Sequence, residues 1–331
     1  MMQDLALHVS GEDCRCYMTE GPYNLPEKVR YLTVVSSKPA SQDMFKVISG
    51  AERLHTLIVV GGSEDFVLKI PNDIGKRFIR LRTLDLSNFC VSELPKSIGK
   101  LKHLRCLQLQ STKIRRLPES ICDLYNLQTL GLRNCYDLEE LPHKIKDLHK
   151  LRHIDLVMTC NSYHNVCSLR CMPKDIGLLT DLQTLSRFVI SQSNALSVHT
   201  HRGGIAELAN LNNLHGELII SNLHLIEAVQ DAALANLASK RFLQKLELSW
   251  SNSSKEAEQI LEHLKPPTTI KELIISGYTG MACPSWIGSA EYTNLVTLCL
   301  YNFKSCSVLP PLGLLPLLEN LHLKVPLVSN L

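Results

Sequence analysis

Five histidine and cysteine side chains between positions 153 and 171 are of the types that could bind a zinc ion. They are His153, Cys160, His164, Cys167 and Cys171. The spacing from Cys167 to Cys171 is acceptable for two zinc ligands, and a metal there could hold an inserted loop in place. The alternative is that unpaired cysteines and a loop histidine lie near one another by chance. We favour this alternative, because one short spacing is weak evidence for a metal site.

Motifs for catalysis and cofactor binding are absent from the sequence. Gly75-Lys76 and Gly99-Lys100 lack the upstream glycine that a phosphate-binding loop requires. Gly203-Gly204 does not follow a predicted strand, so it does not fit a dinucleotide site. Neither a nucleophile elbow nor a His-Glu-x-x-His motif occurs. We therefore expect a protein that is not an enzyme and that needs no cofactor.

The remaining polar chemistry lies in charged residues placed between regularly spaced leucines. The pattern Leu81-x-x-Leu84-x-Leu86 recurs at intervals of 23, 23 and 24 residues, in copies that begin at Leu104, Leu127 and Leu151. These intervals lie within the roughly 20–29-residue period of leucine-rich repeats. One such unit cannot bury its apolar side alone, so neighbouring units must stack. The leucines thus determine where every charged side chain is placed.

Looser copies extend the pattern to about twelve predicted strands. Their first residues are Val29, Leu54, Leu81, Leu104, Leu127, Leu151, Leu182, His215, Leu243, Ile270, Leu295 and Leu318. Leu107 and Leu109 alternate with Gln108, so the leucines point inward and the glutamine outward. The predicted fold is an α/β solenoid: a leucine-rich-repeat horseshoe with a parallel concave sheet and mostly short or irregular convex elements.

The segments between strands carry further signals. Thr112 occupies a turn position where its hydroxyl can bond to the backbone. Pro118 ends the extended segment and favours a helical turn over residues 119–124. Alanine is frequent at residues 227–240, which predicts a helix on the convex side.

Two other features concern the later repeats. Ser253 and Glu256 form a predicted capping box before a second convex helix. Two insertions, at residues 157–169 and 191–204, lengthen the repeat, and the second is predicted to be an exposed loop.

Composition narrows the class of protein further. The formal net charge of +3 is too small to indicate nucleic-acid binding. Residues 1–14 lack the basic and apolar regions of an export signal. The apolar stretch at residues 309–318 contains three prolines and is too short to span a membrane. We expect a soluble cytoplasmic protein whose twelve cysteines are unpaired.

The residue after the first leucine of each repeat is predicted to face solvent and is mostly basic at first. In successive repeats it is Arg30, His55, Arg82, Arg105, Gln128, Arg152 and Gln183. Neighbouring strands lie about 4.8 Å apart, so Arg82 and Arg105 would stand side by side. Residues 76–116 contain eleven lysines and arginines against two acidic residues. This predicts an acidic protein partner, bound by Arg82, Arg105, Lys113, Arg115, Arg116 and Arg152. The alternative is a solvated face whose repulsion is screened by salt.

Later repeats mix both charges with aromatic residues. Lys245 and Glu247 are predicted to face outward on one strand. Trp250 and Tyr301 lie where aromatic side chains could anchor a protein partner. The alternative for Trp250, which we slightly favour, is that its ring turns into the core at the end of the strand.

Several segments resemble plant nucleotide-binding leucine-rich-repeat disease resistance proteins, with the coiled-coil class as the best match. They are Leu-Arg-Thr-Leu-Asp-Leu-Ser at 81–87, Val-Ser-Glu-Leu-Pro-Lys-Ser-Ile at 91–98, Leu-Gln-Thr-Leu-Gly-Leu-Arg-Asn-Cys at 127–135 and Leu-Ala-Ser-Lys-Arg-Phe-Leu-Gln-Lys-Leu-Glu-Leu-Ser-Trp at 237–250. The resemblance covers nearly the whole chain. Residues 2–6 resemble the tail of the winged-helix subdomain of this family.

The resemblance implies two regions. Residues 1–24 would be the end of the winged-helix subdomain and a linker, and residues 25–331 a leucine-rich-repeat domain without its C-terminal cap. The family's coiled coil, nucleotide-binding domain and Met-His-Asp motif have no counterpart in this sequence. Nucleotide switching is therefore an activity that this chain would not perform by itself.

The resemblance also implies a function, namely recognition and autoinhibition in an intracellular plant immune receptor. The first repeats would bind the nucleotide-binding domain of the parent receptor, and later repeats would bind a pathogen effector or a guarded host protein. The alternative is a free-standing leucine-rich-repeat adaptor or scaffold, such as a ubiquitin-ligase substrate receptor. Residues 2–6 favour the receptor.

Overall fold

A computed structural model describes residues 13–18, 28–36, 45, 48–61, 67–158, 168–191, 202–303, 305–306 and 309–324. The chain divides into two compact units, Met1–Leu169 and Arg170–Leu331. Each unit is a stretch of leucine-rich-repeat solenoid, in which short parallel strands alternate with turns and short helices. All twelve strands predicted from the leucine pattern are present.

The first unit contains a parallel sheet whose strands follow one another in chain order. They are β1 (Cys14–Met18), β2 (Tyr31–Ser36), β3 (Thr56–Gly61), β4 (Thr83–Asp85), β5 (Cys106–Gln108), β6 (Thr129–Gly131) and β7 (His153–Asp155). Between the strands lie helix α1 (Ile74–Arg77) and 3-10 turns at Ile48–Gly50, Lys96–Lys100, Glu119–Asp123 and Ile145–Asp147. Strand β1 precedes residue 25, the predicted start of the repeats, and pairs with β2.

The core of the first unit is a column of equivalent apolar residues. The sheet register aligns Leu32, Leu57, Leu84, Leu107, Leu130 and Ile154. All six are at most 1% exposed. Full burial of one such side chain contributes about 1.5–3 kcal/mol. Since each leucine touches its equivalents in the next repeats, the stabilisation depends on stacking, as the pattern predicted.

Three consecutive strands of the first unit, β4, β5 and β6, are each followed by a left-handed residue. Asn88, Ser111 and Asn134 have φ of 66°, 55° and 57°. Asparagine adopts this conformation more readily than most residues. The Asn88 and Ser111 N–H groups donate to carbonyl oxygens of the next repeat at 2.8 Å. The turn therefore extends the hydrogen-bond ladder beyond the strand.

The predicted role of Thr112 in this turn is confirmed. Its buried hydroxyl donates to the carbonyl oxygen of Leu109 at 2.8 Å. In the next repeat Cys135 takes the same place, and its thiol donates to the same carbonyl at 3.0 Å. Two side chains from consecutive repeats thus satisfy one buried backbone oxygen.

The proline signal is confirmed as well. Pro118 has an extended backbone, and a 3-10 turn follows it at Glu119–Asp123. Pro95 precedes the equivalent turn of the previous repeat, where Ile98 is buried. The next residue, Gly99, lies so close to the following repeat that a Cβ atom would overlap the carbonyl oxygen of Ser120.

The second unit contains nine strands: β8 (Met172–Pro173), β9 (Thr184–Leu185), β10 (Arg187–Val189), β11 (Arg202–Gly203), β12 (Gly216–Ser221), β13 (Leu243–Ser249), β14 (Glu272–Ser276), β15 (Thr297–Tyr301) and β16 (Asn320–Lys324). Of these, β10 and β12–β16 form a six-stranded parallel sheet. Strands β8 and β11 form an antiparallel pair. The helices are α2 (Val229–Leu234) and α3 (Ala257–His263), and 3-10 turns occur at Ile176–Leu178, Ile205–Leu208, Leu223–Leu225, Leu237–Ser239 and Leu312–Leu314.

Two predictions about this unit were wrong in detail. The helix predicted at residues 227–240 ends at Leu234, since Asn236 takes a left-handed conformation with φ of 46° before a 3-10 turn. The capping box is not formed, because Glu256 itself precedes α3 without a side-chain cap. The N–H of Ser254 instead donates to the Thr279 hydroxyl of the next repeat. Most of the two insertions, residues 159–167 and 192–201, lies outside the described residues.

A lysine is buried in the second unit, which the sequence did not indicate. Lys240 has no exposed surface. Its ammonium group donates to the carbonyl oxygen of Leu208 at 2.6 Å and to Asn212 Oδ1 at 3.4 Å. Burial lowers the pKa of Lys240 to about 8. These hydrogen bonds connect the segment just before β13 to the segment just before β12.

Close packing between turns can be tested with two alanine substitutions. We expect Gly99→Ala to lower the free energy of unfolding by about 1–3 kcal/mol, because the new methyl group must displace the Ser120 carbonyl. Gly50→Ala is the matched control, since nothing lies within 4 Å of its Cβ position. Urea unfolding monitored by circular dichroism measures both. Equal stability of the two variants would contradict the packing described here.

Candidate protein-binding face

The backbone ladder places the basic residues of the first unit in one column. The Arg105 N–H donates to the Arg82 carbonyl at 2.7 Å, and the Arg152 N–H donates to the Gln128 carbonyl at 2.9 Å. His55 is joined to Arg30 in the same way, at 2.7 Å. Each residue lies just before its strand. We call Arg30, His55, Arg82, Arg105, Gln128 and Arg152 the basic column.

The exposed arginines of this column keep an uncompensated charge. Arg82, Arg105 and Arg152 are exposed, and within the described parts of the chain none of them forms an ion pair. Arg30 lies 3.8 Å from Asp13. Like charges on neighbouring strands repel one another weakly across water. The column is therefore a surface on which an opposite charge would be stabilised.

The positive charges of the column lower the pKa of its histidine, His55. Burial lowers the pKa of His55, and the positive charges of Arg82, Arg30 and Arg80 lower it further. Asp13 acts in the opposite direction. His55 therefore favours its neutral form because it is partly buried and because its neighbours are cationic.

An open cleft of about 540 Å³ adds to this basic surface. Arg53, Lys76, Arg77 and Arg80 line it, together with Glu52 and Ile79. The Arg77 Nε atom binds Asp73 Oδ2 at 2.6 Å, so its charge is partly neutralised. Arg80 contributes to the shift at His55, so its field reaches the column.

The structure does not bring Lys113, Arg115 and Arg116 into the basic column. All three follow β5 and lie beyond the left-handed turn at Ser111. Arg116 is paired with Glu139 at 3.5 Å and Glu140 at 3.3 Å. Arg116, which was predicted to bind an acidic partner, therefore has its charge partly neutralised by two glutamates of the next repeat.

The outward face of the second unit has mixed charge. Lys245 Nζ lies 3.1 Å from Glu272 Oε1 in the next strand. Glu247 lies two residues after Lys245 in β13. Burial raises the pKa of Glu247, while the positive charges of Arg187 and Lys245 act to lower it. Arg187 is only 8% exposed, and its Nη1 atom donates to the Ser221 hydroxyl at 3.2 Å. Positive and negative groups here compensate one another.

Of the two predicted aromatic anchors, Trp250 is not on the surface. It is 5% exposed, and its ring meets Tyr278 at 5.6 Å. The residue equivalent to Trp250 in the next repeat is Gly277, which is left-handed, whereas Trp250 is not. Without that turn the indole enters the core, and Ser251 faces solvent. The alternative that the sequence slightly favoured for Trp250 is the one observed.

Tyr301 remains half-buried at the outward end of β15. A hydrogen bond with Cys299 raises the pKa of Tyr301 to about 12, and burial acts in the same direction. The phenol is thus neutral and can serve as a hydrogen-bonding contact. The second tryptophan, Trp286, is 4% exposed, and its indole N–H donates to the Leu261 carbonyl at 3.0 Å.

Sequence reasoning missed an exposed aromatic pair. The rings of His215 and Phe242 are stacked at 4.6 Å with planes 9° apart. Phe242 is 52% exposed. Phe242 precedes the first leucine of its repeat, a position that is polar in most of the other repeats, and this was the available signal. The two rings lie immediately before β12 and β13.

Two further features of the described residues concern metal binding and membrane insertion. Of the candidate zinc ligands, Cys160, His164 and Cys167 lie outside the described residues. Elsewhere in the described chain, no group of three or more histidine, cysteine or acidic side chains could hold a metal ion. No helix among the described residues is long and apolar enough to cross a membrane.

Comparison with known proteins identifies relatives over most of the chain. Residues 205–325 match the family model for R13L1/DRL21 leucine-rich repeats. The disease resistance protein RGA2 of Solanum bulbocastanum is 39% identical over 75% of this chain and 24% of its own length. RGA4 of the same organism is 38% identical over 88% of this chain and 28% of its own. The chain thus spans about a quarter of the length of the curated relatives it matches.

Solved structures support the fold alone. The Arabidopsis receptor kinase HAESA, in complex with the peptide hormone IDA and the co-receptor SERK1, aligns with a TM-score of 0.51. That match is 18% identical and covers 86% of this chain and 49% of the other. PEPR1 in its complex with AtPEP1 gives a TM-score of 0.54 at 18% identity, over 90% of this chain and 38% of the other.

The repeats and their register define a leucine-rich-repeat protein. The sequence relatives are more specific than the fold. They show that the chain corresponds to the leucine-rich-repeat region of plant disease resistance proteins of the nucleotide-binding type.

Titration of His55 can test the field of the basic column. We expect Arg82→Gln to raise the pKa of His55, because removal of a neighbouring positive charge makes protonation easier. NMR titration of the His55 ring in the purified chain measures it. Lys100→Gln, an exposed lysine on a turn between strands, is the matched control and should leave the pKa unchanged. The same pKa in Arg82→Gln and the parent would contradict the proximity of the two side chains.

Proposed function

We propose that this chain is the recognition and autoinhibition region of a cytoplasmic plant immune receptor and that it acts by binding proteins, without catalysis. The observation that carries the proposal is the basic column, in which three exposed arginines form no ion pair with any residue that the structure describes. The homology to disease resistance proteins supports the receptor context.

The first proposed partner is the nucleotide-binding domain of the parent receptor or of a related one. An acidic surface on that domain would offset the repulsion within the column. Such charge complementarity mainly sets specificity and the rate of association. Because exposed charges are screened beyond about 8–10 Å at physiological salt, the contact should weaken as salt increases. A contact of this kind could restrain the receptor and still be released.

The second proposed partner is a pathogen effector or a guarded host protein, bound on the second unit. The groups offered to it are the Lys245–Glu272 pair, the Tyr301 phenol and, just before β12 and β13, the stacked His215 and Phe242 rings. Aromatic side chains supply much of the binding energy in protein interfaces, while paired charges at the rim contribute little. Mixed chemistry of this kind suits selective recognition better than simple charge attraction does.

Charge reversal in the full-length receptor tests the autoinhibitory contact. We expect Arg82→Glu with Arg105→Glu to increase cell death in the absence of an effector, since two attractive contacts become repulsive. Binding of the chain to the purified nucleotide-binding region should weaken about tenfold or more. Transient expression in leaves, with immunoblots to equalise protein levels, measures the first effect, and calorimetry the second.

The control is Lys96→Glu with Lys100→Glu, which reverses two lysines on a 3-10 turn outside the sheet. This variant should behave as the parent receptor does. Unchanged autoactivity and unchanged affinity in the arginine variant would refute docking through the basic column. An equal response in both variants would show an effect of total charge alone.

A further inference from the structure

Two cysteines in consecutive repeats of the second unit face each other across the boundary between repeats. Cys283 follows β14 and Cys306 follows β15. Their sulfur atoms lie 3.2 Å apart. Both side chains are half-buried. A disulfide requires about 2.05 Å between sulfurs, so a movement of about 1 Å would be enough to form one.

The loop that carries Cys283 is held by hydrogen bonds of the residues before and after this cysteine. The N–H groups of Met281 and Ala282 donate to Glu258 Oε1 at 2.5 and 3.2 Å. The N–H of Ser285 donates to Glu262 Oε2 at 2.8 Å. Both acceptors belong to helix α3 of the preceding repeat. The position of the Cys283 sulfur is therefore set by several backbone contacts.

An aromatic stack fixes the other side of the pair. The buried ring of Tyr278 packs on Phe303 at 5.1 Å, and the Tyr278 hydroxyl donates to the Ala282 carbonyl at 2.5 Å. Phe303 lies three residues before Cys306. Tyr278 and Phe303 thus connect the two loops through the core. The sulfur contact follows from the stacking of the repeats.

We propose that Cys283 and Cys306 form a site of reversible oxidation, which a peroxide closes into a disulfide between repeats. In the first step a thiol and hydrogen peroxide give a sulfenic acid and water. In the second step the other thiol attacks that sulfur, the S–S bond forms and a second water leaves. Two thiols are oxidised and one peroxide is reduced, and an external thiol reverses the reaction by exchange.

The two sulfurs are not equivalent in this sequence of steps. Burial raises the pKa of Cys283 to about 12, and its hydrogen bond to Cys306 acts in the same direction. Since the thiolate is the reactive form, Cys283 is a poor first target at neutral pH. The 3.2 Å separation of the two sulfurs, and not a raised acidity of either thiol, is therefore what favours the disulfide.

Cys122 shows what a single cysteine of this kind lacks. Burial raises its pKa to about 12 as well. Cys122 is 8% exposed, and no second sulfur lies within hydrogen-bonding distance of it among the described residues. Proximity of two thiols, and not burial, distinguishes the proposed site.

Peptide mapping of the purified 331-residue chain tests the proposal. Trypsin releases Cys283 in residues 272–304 and Cys306 in residues 305–324. After treatment with hydrogen peroxide and blocking of remaining thiols, we expect these two peptides to be joined and two hydrogens lighter than their sum. Dithiothreitol should separate them. Absence of the joined peptide, while other cysteines become oxidised, would overturn the proposal.

Residues 272–304 also contain Cys299, so two variants are needed. Cys283→Ser should abolish the joined peptide, and Cys122→Ser should leave it unchanged. If the joined peptide persists in Cys283→Ser, Cys299 forms the bond and the proposal is wrong. Both variants can be checked for folding by circular dichroism before oxidation.

Thermal unfolding supplies a second readout. A cross-link between residues 283 and 306 restricts the unfolded chain, so oxidation should raise the unfolding midpoint by about 2–8 °C. The rise should disappear with dithiothreitol and should be absent in Cys283→Ser. An unchanged or lowered midpoint in the cross-linked parent would mean that the bond distorts the repeats, which would contradict a site prepared for closure.

Discussion

Parallel pairing of equivalent residues in consecutive repeats is the constraint on which the rest of the structure depends. Thr83 pairs with Cys106, and Cys106 with Thr129, so each position of a repeat lies beside its own copy. Strands separated by about 4.8 Å then turn any residue that recurs in the sequence into a continuous column. Leucine columns become the core, and arginines at one position become the basic column. The facing cysteines and the Tyr278–Phe303 stack result from the same alignment of repeats.

The same constraint shapes what the chain can do. A single repeat contributes only a few outward side chains, so a functional surface must be assembled from several repeats. In the first unit the assembled surface is dominated by positive charge, because Arg82, Arg105 and Arg152 form no ion pair with the described residues. In the second unit Lys245 and Glu272 alternate across strands and compensate each other. The two surfaces therefore suit partners of different chemistry.

Much of the fold could be predicted because the buried leucines are spaced regularly. The position of Arg82 beside Arg105 in the next repeat followed from the same spacing. Residues outside the pattern could not be placed in this way. The side to which Trp250 turns depends on the backbone conformation of one residue, and nothing local to Arg116 indicates that Glu139 and Glu140 will reach it. The proximity of Cys283 and Cys306 depends on loops whose conformation is set by contacts with α3 and by aromatic packing. The spacing of residues in the sequence therefore does not predict it.

The central claim is that the basic column is a docking surface for an acidic partner domain. Labelling of arginine side chains with phenylglyoxal, read by mass spectrometry, tests it most directly. The chain is labelled alone and with a saturating amount of the nucleotide-binding region of the receptor. The account predicts that Arg82 and Arg105 lose labelling in the complex, while Arg241, exposed in the second unit, is labelled equally in both. Full labelling of Arg82 and Arg105 in a saturated complex would contradict it.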